Sequence, residues 1–480
     1  MTLTRRHWLA LSIAGLALAA SVTSLGNAFA YDDNLAILIN PRVHTLHAPW
    51  QAFAESYWPK ERGGGLYRPL TILLFAVQWA IGGGAPLVFH LFNVLLYAAL
   101  SVMVLAFAGL LLPEAAAWLV AALFAVHPVH VEAVGNVVGQ AELTAALAVV
   151  GACFLYLRWR TAAPAEPLTG RQLAALVTLY LAGCFCKEHG VVLPALLLLL
   201  ELTIIPRPEG RTASTLDPRL STLRPAYLLL AGIGIAFLAV RTSVLGAFVG
   251  DQSALTFQQV TGSQRVLTML GLVPQWLRLL YWPAHLQADY SPLETRVITR
   301  LDVVALAGAI VLVGIIALGV ALRRRQPAIA FGIGWTLIAL LPTSNLLLPT
   351  GILLAERTMM LPSVGALLVV GALMPLVVGR LSPSTAPRPA LLVALGVAFA
   401  VLIAAAAWKS AIRQPVWAND EVLKQQLVID APKSYWAQWL YGDYLYNTDR
   451  LQEGERHMLR AVQIEPNNPY ILMLLGQRYQ

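Results

Sequence analysis

The chain is 480 residues long, 58% hydrophobic and only 12% charged, with a mean hydropathy of +0.67. Soluble globular domains carry about 25% charged residues, so a single water-soluble fold is excluded and the composition is that of a polytopic membrane protein. The formal net charge of +8 does not imply a nucleic-acid partner, because basic residues in a membrane protein are placed by topology. The three cysteines, Cys153, Cys184 and Cys186, lie in apolar segments, so neither a disulfide framework nor a zinc site is suggested.

Arg5 and Arg6 precede an apolar stretch from Trp8 to Ala30, long enough to span a bilayer with some tilt. Ala28-Phe29-Ala30 resembles a signal-peptide cleavage site, but a retained helix would best anchor the polar motif that follows, and retention is the expectation. Further apolar runs cover 87–111, 115–127, 136–157, 172–186, 190–205, 225–248, 302–322, 328–347, 360–379 and 390–408. With the first helix they predict about eleven transmembrane helices, at roughly 20 residues each. Residues 69–82 and 266–283 are also apolar but contain or adjoin Gly82 to Gly84, Pro274 and Pro283, and read as interfacial or re-entrant helices.

Lys and Arg concentrate in alternate loops: Arg5 and Arg6; Arg158, Arg160 and Arg171; Arg207, Arg211, Arg219 and Arg224; Arg323 to Arg325; Arg380 and Arg388. The positive-inside rule makes that side cytoplasmic. The opposite side then receives 31–86, 128–135, 187–189, 249–301, 348–359 and everything after 409, so the N-terminus is cytoplasmic and the C-terminus extracytoplasmic. The fold class expected is all-α, with a multi-spanning membrane domain over 1–410 and a polar region over 411–480. In that region Pro432 and Pro466, and Gly442 and Gly476, are each 34 residues apart, the period of tetratricopeptide helix pairs. Gly442, Gly454 and Ala461 suit close helix crossings, Met458 packs, and Pro466 closes the second helix. One full repeat, 435–468, is expected between two half repeats. Such solenoids need about three repeats, so the region reads as truncated at Gln480 or completed by a partner.

A transporter places its ionisable residues near the bilayer midplane. Here the polar groups instead cluster at one end of the helices: Asp32, Asp33, Arg68, His127, His130, Glu132, Lys187, Glu188, Asp289, Glu356 and Arg357. Arg241 lies roughly 10 Å inside the same end at 1.5 Å rise per residue. Such a cluster suits an enzyme that takes a lipid-borne substrate from the membrane and an acceptor from water. Tyr31-Asp32-Asp33 supplies two carboxylates whose side chains diverge, so one faces a substrate; they read either as a helix-end anchor or as a general base raised in pKa by partial burial. His127-Pro128-Val129-His130-Val131-Glu132 is a weak metal signal, since Pro128 prevents an uninterrupted helical pair of ligands. The sequence establishes no cofactor, and a divalent metal at this motif is the weaker reading beside phosphate or acceptor binding and simple loop structure. Cys186-Lys187-Glu188-His189-Gly190 is either a tight turn with an ion pair or part of the site. Arg357 could grip a phosphate through its planar fork, and Arg241 needs a partner, either a lipid phosphate or a buried Glu.

These segments resemble the transmembrane and tetratricopeptide-repeat-containing protein O-mannosyltransferases and the wider multi-spanning C-type glycosyltransferase (GT-C) fold. The resemblance rests on Tyr31-Asp32-Asp33 with Asn40-Pro41, Tyr67-Arg68-Pro69-Leu70-Thr71, Phe89-His90-Leu91-Phe92-Asn93, His127-Pro128-Val129-His130-Val131-Glu132, Lys187-Glu188, Tyr281 to Tyr290, and Glu356-Arg357 with Leu361-Pro362-Ser363-Val364-Gly365. It implies transfer of a sugar, mannose in the eukaryotic relatives, from a polyprenyl-phosphate donor to a protein Ser or Thr hydroxyl with inversion. It also implies Asp32 as base, with Asp33 close behind. Arg357 and Arg241 then serve the lipid phosphate, while Arg68, Lys187, His127, His130, Glu132, Glu188, Asp289 and Glu356 bind substrate. The expected partners are the polyprenyl-phosphate-linked sugar, a protein acceptor engaged by the repeats, and the lipid bilayer. A cell inner membrane fits, with the endoplasmic reticulum as the alternative location. A non-catalytic scaffold presenting repeats and a lipid-linked carrier transporter are the competing readings.

Overall fold

Every expected apolar run folds as a helix, and no β-strand occurs among the described residues. The computed structural model describes residues 4–59, 65–205, 218–248, 257, 260–290, 296–350, 352–381 and 389–479. Among the described residues seven helices are long and apolar enough to cross a bilayer: Arg5–Gly26, Pro86–Ala108, Val137–Ala162, Leu223–Leu245, Val303–Leu322, Glu356–Arg380 and Leu392–Trp417. An eighth crossing is made if Glu114–Ala125 and Pro128–Gly135, bent by 45° at their junction, count as one span. The runs at 172–186, 190–205 and 328–347 form the shorter helices Gly170–Cys186, Leu193–Thr203 and Pro327–Leu340. Among the described residues, length and composition alone therefore admit seven or eight crossings, against eleven apolar runs.

Val137–Ala162 is the most deeply enclosed span. It packs against Pro86–Ala108, Gly170–Cys186 and Leu193–Thr203, and buries Ala141, Ala145, Ala148 and Ala152, small residues that let backbones approach. Pro327–Leu340 and Met360–Leu381 cross still more closely. A Cβ on Gly365 would lie 2.5 Å from the Gly332 carbonyl oxygen, and one on Gly332 would lie 2.6 Å from that of Gly365. The outer helices do the opposite: Val303, Ile310, Val313 and Val320 on one, and Val393, Val397 and Val401 on another, are exposed. In water so large an apolar belt would drive association; facing lipid it is the expected surface of a multi-pass membrane protein.

The apolar stretches read as interfacial form the helix Pro69–Gly82 and the pair Gly262–Gly271 and Val273–Tyr281. The last of these buries Val273, Trp276, Leu279 and Leu280, an i, i+3, i+6, i+7 stripe that presses one helical face onto the bundle.

Polar side chains inside the bundle are linked to one another. Gln78 Nε2 donates to Gln140 Oε1 at 2.6 Å, and Gln140 Nε2 donates to Asn93 Oδ1 at 3.0 Å. Asn93 Nδ2 in turn donates to the carbonyls of Val134 and Asn136 at 3.3 and 3.0 Å. The chain between Pro128–Gly135 and the next span is thereby fixed. At the opposite end of Val137–Ala162, Arg160 Nε donates to Glu201 Oε1 at 2.7 Å, with side chains only 2% and 1% exposed. Its other N–H groups hold the carbonyls of Ala163, Pro164 and Glu166.

The polar tail forms the helices Asp420–Asp430, Tyr435–Asn447, Leu451–Ile464 and Pro469–Arg478. Asn419 and Ser434 accept the N–H groups of Val422 and Ala437, which caps the first two. A Cβ on Gly442 would stand 2.9 Å from the Gly454 carbonyl oxygen, and one on Gly454 2.8 Å from that of Gly442, so the two glycines allow the middle helices to cross in backbone contact above buried Tyr435, Trp439, Met458 and Ala461. The tail is joined to the membrane helices by the Ala28 N–H, which donates to the Ala418 carbonyl at 2.7 Å, and by Trp417, buried with Ala30 and Val131.

Two stability outcomes follow. Arg160→Met leaves the Glu201 carboxylate buried without its cation and is expected to destabilise the fold by about 3–5 kcal/mol, whereas Arg160→Met with Glu201→Leu recovers most of the loss; thermal unfolding in detergent measures both. Gly442→Val, read the same way, costs at least about 1–3 kcal/mol through overpacking at the crossing.

Candidate active site

Asp32 and Asp33 follow the first helix, and the backbone sends their side chains in different directions. Tyr31 has φ of 54°, a left-handed conformation uncommon outside Gly, Asn and Asp, which turns the chain sharply as it leaves the helix. Asp33 points inward and is 1% exposed. Its Oδ1 accepts the Val138 N–H at 2.8 Å, and its Oδ2 accepts the N–H groups of Val137 and Ala30 at 3.4 and 3.3 Å. Burial pushes the Asp33 carboxyl up to about 7, against the pull of those three N–H donors. Asp32 has a 22% exposed side chain, and its Oδ2 lies 3.8 Å from the Arg357 guanidinium. Burial raises its pKa above the usual carboxylate range, while Arg357 and then Arg68 oppose the rise.

Arg357 is aimed by Glu132. The Glu132 carboxylate accepts the Arg357 backbone N–H through Oε2 and the guanidinium through Oε1, each at 2.8 Å. Glu132 sits in Pro128–Gly135, so the bend that His127-Pro128 introduces delivers this carboxylate to the start of Glu356–Arg380. Pro128 has no N–H to continue the preceding helix, and His127 Nδ1 accepts the Val129 N–H at 3.3 Å in its place.

Arg68 donates through Nε and Nη2 to Glu188 Oε2 at 3.2 and 3.1 Å, with its guanidinium carbon 5.5 Å from the centre of the Tyr57 ring. Burial alone would raise Glu188, but Arg68, and more weakly Arg241 and Lys187, bring it down to about 2. Lys187 forms an ion pair with Glu142, whose other oxygen lies 3.0 Å from His189 Nδ1. Arg241 donates to the Phe248 carbonyl at 2.8 Å and has no carboxylate ion-pair partner among the described residues. Asp32, Arg68, Glu132, Lys187, Glu188, Arg241 and Arg357 thus share one electrostatic neighbourhood.

The remaining predicted residues lie around this group. His127 Nε2 donates to the Leu280 carbonyl at 3.1 Å, so both of its ring nitrogens are engaged. His130 is likewise enclosed: Nδ1 lies 3.1 Å from the Phe124 carbonyl and Nε2 2.9 Å from Ser363 Oγ. Both imidazoles hold the bend in place. Glu356 is buried and accepts the Gln287 N–H at 2.5 Å and the Tyr290 hydroxyl at 2.8 Å. Asp289 accepts the Ser434 hydroxyl at 2.7 Å. These last two carboxylates connect the 284–290 segment to Arg357 on one side and to the tail on the other. Among the described residues no three His, Cys, Asp or Glu side chains converge as a metal-ligand set.

Several contributors escape a reading by motif. Tyr57 lies beside Arg68, with a buried hydroxyl that has no hydrogen-bond partner among the described residues. Glu142 lies inside an apolar run, where a single carboxylate in a span was itself a signal. Asp420 accepts the Tyr31 N–H at 2.6 Å from more than 380 residues away, and nothing in linear spacing announces it.

No protein-family model matches the chain. Protein O-mannosyl-transferase TMTC3 of Homo sapiens is 28% identical over 388 residues, covering 75% of this chain and 41% of that protein. TMTC1 of Homo sapiens is 26% identical over 491 residues, covering 94% and 54%, and Tmtc2 of Drosophila melanogaster is 34% identical over 286 residues, covering 58% and 30%. The chain therefore spans between 30% and 54% of the length of these relatives. Over most of its length, and against proteins of human, mouse and fly, the chain is similar to the protein O-mannosyl-transferases that its motifs resemble.

Proposed function

We propose that the chain is a membrane glycosyltransferase that moves a sugar, mannose by analogy with its relatives, from a polyprenyl-phosphate donor to an acceptor hydroxyl, a protein Ser or Thr. The observation that carries this reading is the partly exposed Asp32 carboxylate 3.8 Å from the Arg357 guanidinium, amid further cations, in a chain similar to O-mannosyl-transferases. Asp32 takes the proton of the acceptor hydroxyl. The hydroxyl oxygen forms a bond to the sugar's anomeric carbon as the bond from that carbon to the phosphate oxygen breaks, and the electron pair leaves with the polyprenyl phosphate. A single displacement inverts the anomeric carbon.

The growing charge on the leaving phosphate requires fixed cations. Arg241, which has no carboxylate ion-pair partner among the described residues, and Arg357, whose planar fork is oriented by Glu132, are assigned to it. Arg68, Lys187 and Glu188 bind the donor, Asp289 and Glu356 shape the acceptor side, and His127, His130 and Glu132 hold the frame. Asp33 positions the turn: its buried oxygens are filled by backbone N–H groups, which leaves the more exposed Asp32 as base. The topology that fits this chemistry has eleven crossings, three of them by the shorter helices. It places the N-terminus in the cytoplasm, with the site and a tetratricopeptide-type region over 411–480 on the extracytoplasmic side of the inner membrane.

Sugar release to water from radiolabelled polyprenyl-phosphate mannose and glucose tests the reading. Asp32→Asn is expected to lower release by about 10²–10⁴-fold while leaving thermal stability nearly unchanged. Asp33→Ala is expected to behave differently, losing at least about 1–3 kcal/mol of stability because buried N–H donors are left unpaired. No release from any donor by folded, lipid-binding wild-type protein would move the assignment to a scaffold.

The pH profile supplies a separate check. A base acts only when ionised, so activity falls as pH drops through the pKa of Asp32. Since burial raises that pKa, the acid limb of kcat/KM is expected above the unperturbed Asp value of about 3.9, and to disappear from the residual activity of Asp32→Asn.

A further inference from the structure

The turn that carries Asp32 is held from two sides, and one of them belongs to the tail. From within the bundle, Asp33 ties it to the N–H groups of Val137 and Val138. From the tail, Asp420 Oδ1 accepts the Tyr31 N–H at 2.6 Å and Asn34 Nδ2 at 3.2 Å. The second oxygen of Asp420 is taken by Lys424 Nζ at 2.9 Å, which fixes the plane of the carboxylate.

We infer that Asp420, in the first helix of the tail, is a positioning residue for Asp32, and that the start of the tail is therefore part of the catalytic machinery rather than only a docking surface for acceptors. This rests on the sugar-transfer reading above. Tyr31, at φ of 54°, occupies a backbone conformation that persists only where its surroundings over-determine it. The group accepting its N–H is Asp420. Rotation of that residue to an extended or right-handed helical conformation would redirect the next side chain, Asp32, away from Arg357. The anchor beneath Asp420 is itself firm: Trp417 is buried with Ala30 and Val131, and Asn27 Nδ2 donates to the Gln414 carbonyl at 3.0 Å. Among the described residues Asp32 has no comparable restraint of its own, its one ion-pair contact being the 3.8 Å approach to Arg357.

The consequence is specific. The tail is required even when water replaces the protein acceptor. The test uses the purified full chain, a radiolabelled polyprenyl-phosphate sugar and water as acceptor. Asp420→Ala is expected to lower kcat by about 100-fold, the scale of a 1 Å misplacement of a reacting group, with KM for the donor within about twofold. Asp420→Asn, which keeps an oxygen able to accept the Tyr31 N–H, is expected to restore kcat to within about tenfold of wild type. Unchanged kcat in Asp420→Ala, or a rise in KM alone, would overturn the positioning role. If Asp420→Ala does not fold, Asp420→Glu answers the question, because it keeps the charge but displaces the accepting oxygen by one methylene: reduced kcat supports the role and wild-type kcat refutes it. Wild-type protein that releases no sugar from any donor strikes the sugar-transfer reading itself, an outcome separate from an active Asp420→Ala.

Discussion

The Asp33 carboxylate, filled by the N–H groups of Ala30, Val137 and Val138, is the joint on which the rest of the site depends. It fastens the end of the first helix to the start of the most enclosed span. The amides it uses are presented at the right angle only because Asn93 holds the carbonyls just before them, and Asn93 is held by Gln140, itself paired with Gln78. Each member of that series is buried where an unpaired amide would cost about 1–3 kcal/mol. The series is therefore cooperative: weakening one member exposes the next. A carboxylate enclosed in this way, 1% exposed and with its oxygens filled by backbone N–H groups, is out of reach of an acceptor hydroxyl and serves as a brace, while its neighbour, turned outward by the Tyr31 backbone, is accessible.

The second constraint is the distribution of charge. Within the bundle, four cations are each paired with a carboxylate: Arg160 with Glu201, Lys187 with Glu142, Arg68 with Glu188 and Arg357 with Glu132. Pairing lowers the desolvation penalty that isolated charges would incur in a low-dielectric interior. It also fixes geometry, since a guanidinium held by one carboxylate presents its remaining N–H edge in one direction. Arg357 thus has a defined side for Asp32, and the gap of 3.8 Å is longer than a charge-assisted hydrogen bond of about 2.7–2.9 Å. Asp32 feels the cation without being saturated by it.

Much of this was legible in the sequence, for reasons that differ by level. The apolar runs gave helices because their composition leaves the backbone no other partner in lipid. Asp32, Glu132, Glu188 and Arg357 stood out because charge is scarce in this chain and these residues fall at one end of the apolar runs, opposite the Arg-rich loops. The helix lengths were less legible: 172–186, 190–205 and 328–347 are apolar but fold as shorter helices, and hydropathy counts residues, not the lengths of unbroken helix. The two histidines gave only a weak metal signal, since Pro128 interrupts the helical pair; their enclosure by Leu280, Phe124 and Ser363 involves contacts that linear spacing does not announce. Asp420 was illegible for the same reason, since a helix-start aspartate is ordinary until the Tyr31 N–H is placed beside it.

That distant contact has a counterpart on the other side of the site. Glu356, immediately before Arg357, accepts from Gln287 and Tyr290. The Gln287 side chain donates to the Asp430 carbonyl, and Ser434 donates to Asp289. Arg413, at the end of the last membrane helix, pairs with Asp430 at 2.8 Å. The single helix Asp420–Asp430 therefore reaches the carboxylate side of the site through its first residue and the guanidinium side through its last. Asp32 and Arg357 belong to elements more than 320 residues apart in sequence, and from within the bundle they are joined through the 132–138 segment, by Glu132 on Arg357 and by the Val137 and Val138 N–H groups on Asp33. A helix that touches both supports is a physical means of holding that distance constant, and it ties the first helix of the polar tail to the geometry of the charges beneath it.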